Sequence, residues 1–129
     1  MSAIAIRLDQ TQLTVGEQLS GTVSWNPADR QQPVKSASLE LRWRTEGRGT
    51  RDSSVVYEEV LDLDRLASSS FSPIPFSARI PEEGPITYNG SLIRILWEVT
   101  VSIKVPGLFK RAQKESCLLQ VIPRQAQWL

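Results

Sequence analysis

The sequence contains no histidine and only one cysteine, Cys117. Histidine is the commonest metal ligand, the commonest general base and the usual sensor of physiological pH, so its absence removes the residue on which most such sites are built. A single cysteine excludes a disulfide within the chain. We expect Cys117 to be a buried structural residue, because a reactive thiolate needs a basic or helix-terminal setting and this cysteine lies on an alternating, strand-like segment.

Long apolar runs are also missing. No run reaches the roughly eighteen residues of a membrane-spanning helix, so no transmembrane segment is predicted. The opening residues lack the apolar centre of a secretory signal, and a cytoplasmic location is the resulting expectation. Asn89-Gly90-Ser91 matches the N-glycosylation pattern, but in a chain without a secretory signal we interpret it as a turn.

A strong charge of either sign is absent too. Fifteen basic and fourteen acidic residues leave a formal net charge of +1. This balance argues against bulk electrostatic binding to nucleic acid or to an anionic membrane. Nucleic acid is therefore not an expected partner.

Candidate catalytic groups are limited to three pairs of carboxylates, at Glu58-Glu59, Asp62/Asp64 and Glu82-Glu83. Glycosidase-type chemistry needs two carboxylates that face each other in a cleft and differ in pKa, and solvated strand ends and turns are the simpler interpretation. Asp62 and Asp64 lie in a loop with too few oxygen ligands for calcium. The sequence thus predicts no catalytic residue, no metal site, no cofactor and no enzymatic activity.

What the sequence does contain is alternation. Between Ile93 and Val105 every second residue is apolar, with Trp97 at the centre, and the residues between them are mostly polar. Side chains of a strand point alternately to opposite faces, so this segment predicts one long strand with a buried face and a mostly wet face. At roughly 3.3 Å per residue it would span about 40 Å.

Similar alternation, separated by Gly, Pro, Asn and Ser turns, recurs along the chain and predicts seven or eight strands. The fold class that this pattern favours is an all-β, immunoglobulin-like antiparallel β-sandwich. We expect a single domain over residues 1–129, with its core at about 4–122 and a short C-terminal tail at 123–129. The predicted strands cover residues 4–8, 19–25, 34–45, 54–63, 71–80, 93–105 and 114–122.

The strand at 54–63 has no clean period, and two interpretations stay open. Val56 and Val60 share a face with Glu58 in the first. In the second, Val55, Tyr57 and Leu61 define the core face with Glu59.

Four blocks of the sequence resemble, in order and spacing, segments of the arrestin family. They are Leu13–Val23, with its Gly16-Glu17 turn; the strand Phe76–Pro81; the turn Pro85–Gly90; and the strand Ile95–Val101. The resemblance covers about residues 4 to 122 and implies one arrestin-like sandwich lobe. Arrestin-like proteins, including retromer subunits and bacterial sporulation-control relatives, usually carry two such sandwiches, and this chain has room for one.

The resemblance implies a non-enzymatic protein-interaction module and transfers no functional residue. Activities that depend on the groove between two lobes do not carry over to a lone lobe. The Pro-Pro-x-Tyr motif, with which some arrestins recruit ubiquitin ligases, is absent. Within the matched blocks, Gly16 and Gly90 are predicted at turns that need positive φ, and Trp97, like Trp43, is predicted to be buried.

Two features are candidate contact sites. Arg42, Arg44, Arg48 and Arg51 form a basic cluster around a Gly-rich loop, and arginine binds phosphate or acidic peptides bidentately. An ordinary charged surface, diluted by glutamates, is the interpretation that we favour for this cluster. The second feature is the hairpin at 106–111, where Leu108 and Phe109 lie at the tip beside Lys110 and Arg111.

For the hairpin, two alternatives are equally open: its apolar tip contacts a partner or a membrane surface, or it folds back and caps the sandwich. The same two alternatives are open for Trp128 and Leu129, which either pack on their own domain or contact a neighbouring molecule.

The sequence therefore predicts an adaptor that binds a protein partner through a sheet edge or its end loops. A homodimer formed by edge-strand pairing is also expected, because a lone sandwich leaves open edges. The alternative function is a small-ligand or carbohydrate-binding sandwich. It would need a row of exposed aromatic residues, whereas Trp25, Trp43 and Trp97 lie on the apolar parities that predict core.

Overall fold

The structure, a computed structural model, describes residues 4–26, 34–49, 51–62, 73–107 and 112–124. These residues form nine strands and no helix, which confirms the all-β prediction. The strands are β1 (Ile4–Leu8), β2 (Gln12–Thr14), β3 (Gln18–Trp25), β4 (Ser36–Gly47), β5 (Ser53–Val60), β6 (Ile74–Arg79), β7 (Tyr88–Asn89), β8 (Ile93–Lys104) and β9 (Gln113–Ile122).

The strands form two sheets that pack face to face, as predicted for a sandwich. The smaller sheet has the order β1-β3-β6, and the larger has the order β2-β9-β8-β4-β5 with β7 paired to β8. All pairings among these strands are antiparallel except that of β2 with β9, which is parallel and three residues long. The antiparallel prediction thus holds apart from this short edge strand.

The core lies between the two sheets and is filled by the residues that alternate along the strands. On β8 these are Trp97, Val99, Val101 and Ile103, and their neighbours on β4 include Leu39 and Leu41. The Trp97 indole nitrogen donates a hydrogen bond of 3.1 Å to the Pro85 carbonyl oxygen, which satisfies its one polar atom. The sequence predicted that Trp25, Trp43 and Trp97 lie in the core. Trp25 and Trp97 are buried, as predicted, while Trp43 is half-buried at the margin of the core.

A β-bulge decides between the two interpretations of the strand at 54–63. The pairing of β4 with β5 shifts between Leu41 and Arg42, which adds one residue to β5. Tyr57 and Leu61 consequently face the core, as the second interpretation had it, and Val56 of the first interpretation, which lies at the shift, also packs against the core. Val55, beyond the shift, lies on the opposite face and is exposed, so its predicted place in the core was wrong.

The turn at Gly16 joins the two sheets. Gly16 has a φ of 87°, which confirms the prediction for this position. Its amide donates to the Ile80 carbonyl at 2.9 Å, and the Ile80 amide donates to the Glu17 carbonyl at 2.9 Å. For Gly90 the prediction of positive φ was wrong; there a Cβ would lie 2.5 Å from Cε1 of Tyr88, so close packing is what requires glycine.

Gly21 shows how tightly the small sheet is packed. It is buried at the centre of β3, where a Cβ would lie 2.3 Å from the Arg7 carbonyl oxygen and 2.8 Å from Cζ of Phe76. We predict that Gly21→Ala lowers the free energy of unfolding by about 1–3 kcal/mol, because backbone and ring must both move. Urea denaturation measures the change. The adjacent Ser20→Ala is the control and should stay within about 0.5 kcal/mol of wild type; equal stability of the two variants would contradict this packing.

Candidate functional site

The outer face of the six-stranded sheet, the side away from the core, carries most of the chemistry that the structure describes. Cross-strand neighbours share a face, and β4 and β8 place Arg42 opposite Glu98 and Glu46 opposite Arg94. Arg44, between Arg42 and Glu46 on β4, lies on the same face. Basic and acidic side chains therefore alternate across two central strands.

Glu98 is buried although it lies on this outer face. Only 5% of the residue is exposed. Its Oε1 accepts hydrogen bonds from Nε of Arg42 at 2.9 Å and lies 3.4 Å from Nε of Arg44. Burying a carboxylate is costly unless it is paired, and the two guanidinium groups supply that pairing.

The prediction of a mostly wet face on β8 was thus wrong at its centre. Thr100, the next residue on that face, is also buried, and its hydroxyl lies 2.9 Å from that of Ser116 on β9. The physical reason is that neighbouring polar side chains cover one another. Residue parity predicts the face on which a side chain lies, but not whether other side chains cover it.

Glu46 extends the pairing along the strands. Its two carboxylate oxygens form ion pairs with Arg44 and Arg94, so Arg42, Glu98, Arg44, Glu46 and Arg94 form one chain of alternating charges, which we call the charged ladder. The hydrogen bond from Arg44 is the main cause that lowers the pKa of Glu46, and Arg94 adds to it. The same bond raises the pKa of Arg44.

Three of the four predicted basic-cluster arginines meet at one cavity. This arginine pocket has a volume of about 480 Å³ and is lined by Arg42, Arg44 and Arg51 together with Glu46 and Asp52. Thr45, Gly47 and Ser53 complete the lining. Arg48 is exposed and does not line the pocket. The cluster is therefore a built feature of the outer face, although two carboxylates lie within it.

A second cavity, the apolar groove, lies where β7 and β9 diverge along β8. It has a volume of about 410 Å³, and its apolar lining includes Tyr88, Leu96 and Leu118. Tyr88 is 52% exposed and Leu118 is 56% exposed. Arg94 lines this groove and is also paired with Glu46 of the arginine pocket, so the two cavities adjoin.

Thr87 binds β9 at the point where β9 leaves β8. The Thr87 amide donates to the Val121 carbonyl at 2.8 Å, and the Val121 amide donates to the Thr87 hydroxyl at 2.8 Å. β7 takes the place of β9 beside β8, with Tyr88 opposite Ile95. The alternation pattern did not predict this groove. The available signal was Leu118, an apolar residue that stands between Ser116 and Gln120 on the same parity of β9.

Several predicted positions fall outside the part of the chain that the structure describes. These are the hairpin tip at Leu108, Phe109, Lys110 and Arg111, and the tail with Trp128 and Leu129. Their assignment to partner contact stays a prediction.

The remaining candidates have ordinary surroundings. Cys117 is half-buried, less than predicted, and burial followed by the charge of Glu115 raises the pKa of its thiol. Glu58, Glu82 and Glu83 are exposed. Within the described ranges no three His, Cys, Asp or Glu side chains gather where they could hold a metal ion, and no helix is long and apolar enough to cross a bilayer.

Because the pKa of Glu46 is lowered, its contribution to the stability of the fold should depend on pH. A carboxylate whose pKa is lower in the folded state stabilises the fold above its unfolded pKa of about 4.5, and this contribution is lost as pH falls through the folded value. We predict that Glu46→Gln is less stable than wild type at neutral pH and that the difference shrinks below about pH 4.5. Thermal denaturation of both proteins across this range measures it. A difference that is constant with pH would contradict the ion pairs of Glu46.

The chain matches the crystal structure of Spo0M, a sporulation control protein from Bacillus subtilis, with a TM-score of 0.64 and 16% sequence identity over 92% of this chain and 48% of that one. It therefore spans about half the length of that relative. It also matches superoxide reductase (neelaredoxin) from Ignicoccus hospitalis, with a TM-score of 0.51 and 10% identity over 93% and 80% of the two chains.

At these identities both structural likenesses are likenesses of fold alone. No curated protein sequence matches the chain. The family model of the SpoOM protein, in contrast, matches residues 2–116, which is most of the sequence. The chain belongs to the SpoOM protein family.

Proposed function

We propose that this chain is a non-enzymatic regulatory protein that acts by binding a protein partner through the outer face of its six-stranded sheet. Membership of the SpoOM family supports a regulatory role, since the Bacillus subtilis relative is a sporulation control protein. The likeness to superoxide reductase is one of fold and brings no activity with it. A single arrestin-like domain over residues 1–129 and a cytoplasmic location are parts of the same proposal.

The observation that carries the proposal is the apolar groove. Tyr88 and Leu118 leave more than half of their surface in contact with water, beside the partly buried Leu96. Apolar side chains that are clustered in a concave, partly polar surface are typical of contact sites. A partner that places an apolar side chain in this groove would remove all three residues from water.

The adjoining arginine pocket indicates what lies next to that apolar side chain. Arg42 and Arg44 use their Nε atoms on Glu98, and Arg44 and Arg94 satisfy both oxygens of Glu46. Both carboxylates of the charged ladder are thus already paired with arginines. Most of the guanidinium N–H groups, in contrast, donate to no acceptor among the residues that the structure describes. An acidic side chain on the partner, one or two residues from the apolar one, would accept from these donors.

The sheet edges support partner binding less well. Among the described strands, β5 is the longer of the two edge strands of the six-stranded sheet. Its bulge, however, increases the twist and weakens pairing with another strand. On β6, Pro75 lacks an N–H to donate. Binding or dimerisation through edge strands stays a prediction, and the outer face is the surface that we favour.

The proposal is tested by affinity capture from the source cells with the wild-type chain and two matched variants. Leu118→Ser should reduce recovery of the specific partner at least tenfold, because loss of a buried leucine contact costs roughly 1.5–3 kcal/mol. Val60→Ser is the control: Val60 is 78% exposed on the same face but lines neither cavity, and recovery should not change. Quantitative mass spectrometry measures the recovered proteins.

A captured protein supports the proposal only if it depends on Leu118 and not on Val60. If every captured protein is recovered equally by both variants, the apolar groove is not the contact site and the proposal fails.

A further inference from the structure

We propose that one end of the six-stranded sheet also binds an anionic lipid surface. This end, which we call the tip, consists of Arg48 and Arg51 after β4, Leu92 in the turn between β7 and β8, and Ile93 at the start of β8. It shares Arg51 with the arginine pocket but no residue with the apolar groove, and the inference goes beyond the proposed protein-binding function without depending on it.

The backbone holds the two parts of the tip together. The Arg48 amide donates to the Leu92 carbonyl at 3.1 Å, and Gly47 pairs with Ile93 at the end of the β4–β8 register. A Cβ on Gly47 would lie 2.2 Å from the Leu92 carbonyl oxygen, so the close approach of the two chains depends on glycine. Arg48 and Leu92 are consequently neighbours, although they are distant in sequence.

The apolar part of the tip projects into water instead of filling a cavity. Leu92 is 66% exposed, and Ile93 beside it is exposed as well. Neither lines the arginine pocket or the apolar groove. An exposed leucine in a turn is suited to insertion among lipid headgroups and acyl chains.

Positive charge is concentrated around these apolar residues. The sheet end carries Arg44, Arg48, Arg51 and Arg94 against Glu46 and Asp52, four cations against two anions, which leaves +2 in a chain whose formal net charge is only +1. Glu46 is already paired with Arg44 and Arg94. Arg48 and Arg51 are exposed and form no ion pair with any residue that the structure describes.

A locally positive tip is compatible with the small net charge of the whole chain. Near-zero net charge excludes attraction of the whole protein to an anionic surface, but screening limits each charge to a range of about 8–10 Å, so the local +2 is what a membrane would meet. Each arginine close to an anionic bilayer contributes about 1 kcal/mol. The free cations and the inserted leucine act together, as stable membrane attachment needs more than one signal.

A lipid surface fits the tip better than a protein partner does. A specific protein interface buries about 800 Å² on each side and is matched in shape. The tip offers one prominent leucine, its isoleucine neighbour and two exposed arginines, Arg48 and Arg51, which is too little for such an interface. Lipids need no matched shape, since headgroups rearrange around an inserted side chain.

Vesicle co-sedimentation tests the inference. We expect the chain to sediment with vesicles of equal parts phosphatidylglycerol and phosphatidylcholine at low salt, to be released as salt increases, and to stay in solution with pure phosphatidylcholine. Arg48→Gln should weaken binding about fivefold, and Leu92→Ser about tenfold or more. Thermal denaturation of each variant verifies that it is folded.

Matched controls separate the tip from a general effect of charge or apolar surface. Arg7→Gln removes an exposed arginine from the small sheet, and Val60→Ser removes an exposed apolar residue from the other end of the large sheet. Both should bind vesicles as wild type does. Equal loss in the controls, equal binding to neutral vesicles, or no sedimentation with anionic vesicles at low salt would each overturn the inference.

The outcome is independent of the partner experiment. Leu118→Ser should lose the protein partner and keep vesicle binding, while Leu92→Ser should do the reverse. If Leu92→Ser binds vesicles normally and loses the protein partner, the tip belongs to the protein interface and the lipid assignment is wrong.

Discussion

The outer half of this structure depends on one interaction, the burial of the Glu98 carboxylate between Arg42 and Arg44. Trp97, Glu98, Val99, Thr100 and Val101 are five consecutive buried residues, so β8 is covered on both of its faces at this point. The core covers the inner face. On the outer face, cross-strand polar side chains cover the strand, and they can do so only because the charge of Glu98 is matched at 2.9 Å by Arg42. The arginine pocket, which is lined by Arg42 and Arg44, and the apolar groove, which is lined by Leu118 opposite Glu98, both border this covered centre.

Such an ion pair contributes to specificity more than to net stability. Desolvation of a carboxylate costs several kcal/mol, and pairing offsets that cost without greatly exceeding it. A one-residue slip of β4 against β8, however, would place Arg42 and Glu98 on opposite faces and leave a charge unpaired. The charged ladder therefore favours a single register, and the same register brings the loop after β4 against the turn before β8 to form the tip.

Alternation along the chain was sufficient to predict the seven longer strands, the sandwich and the inner face, but not the short strands β2 and β7. Parity alone places Leu39, Leu41 and Val99 in the core. It failed where the outcome depends on neighbours from other strands. The burial of Glu98 depends on arginines from β4, Val55 faces outward because of a bulge opposite Leu41, and Gly90 is required by the ring of Tyr88. For the candidate site, the basic cluster was visible in sequence, but its pairing with Glu98 and Glu46 and the groove at Leu118 arise from cross-strand pairing that a single sequence does not reveal.

The central claim is that Glu98 and Arg42 are energetically coupled across β4 and β8. A double-mutant cycle with Arg42→Gln, Glu98→Gln and the double variant, measured by urea unfolding, tests it most directly. For a largely buried, hydrogen-bonded pair, we expect a favourable coupling energy of about 1 kcal/mol or more. A parallel cycle between Glu98 and the distant Arg7 should give a coupling near zero. Coupling near zero for Arg42 and Glu98 as well would contradict the claim that this pair organises the outer face.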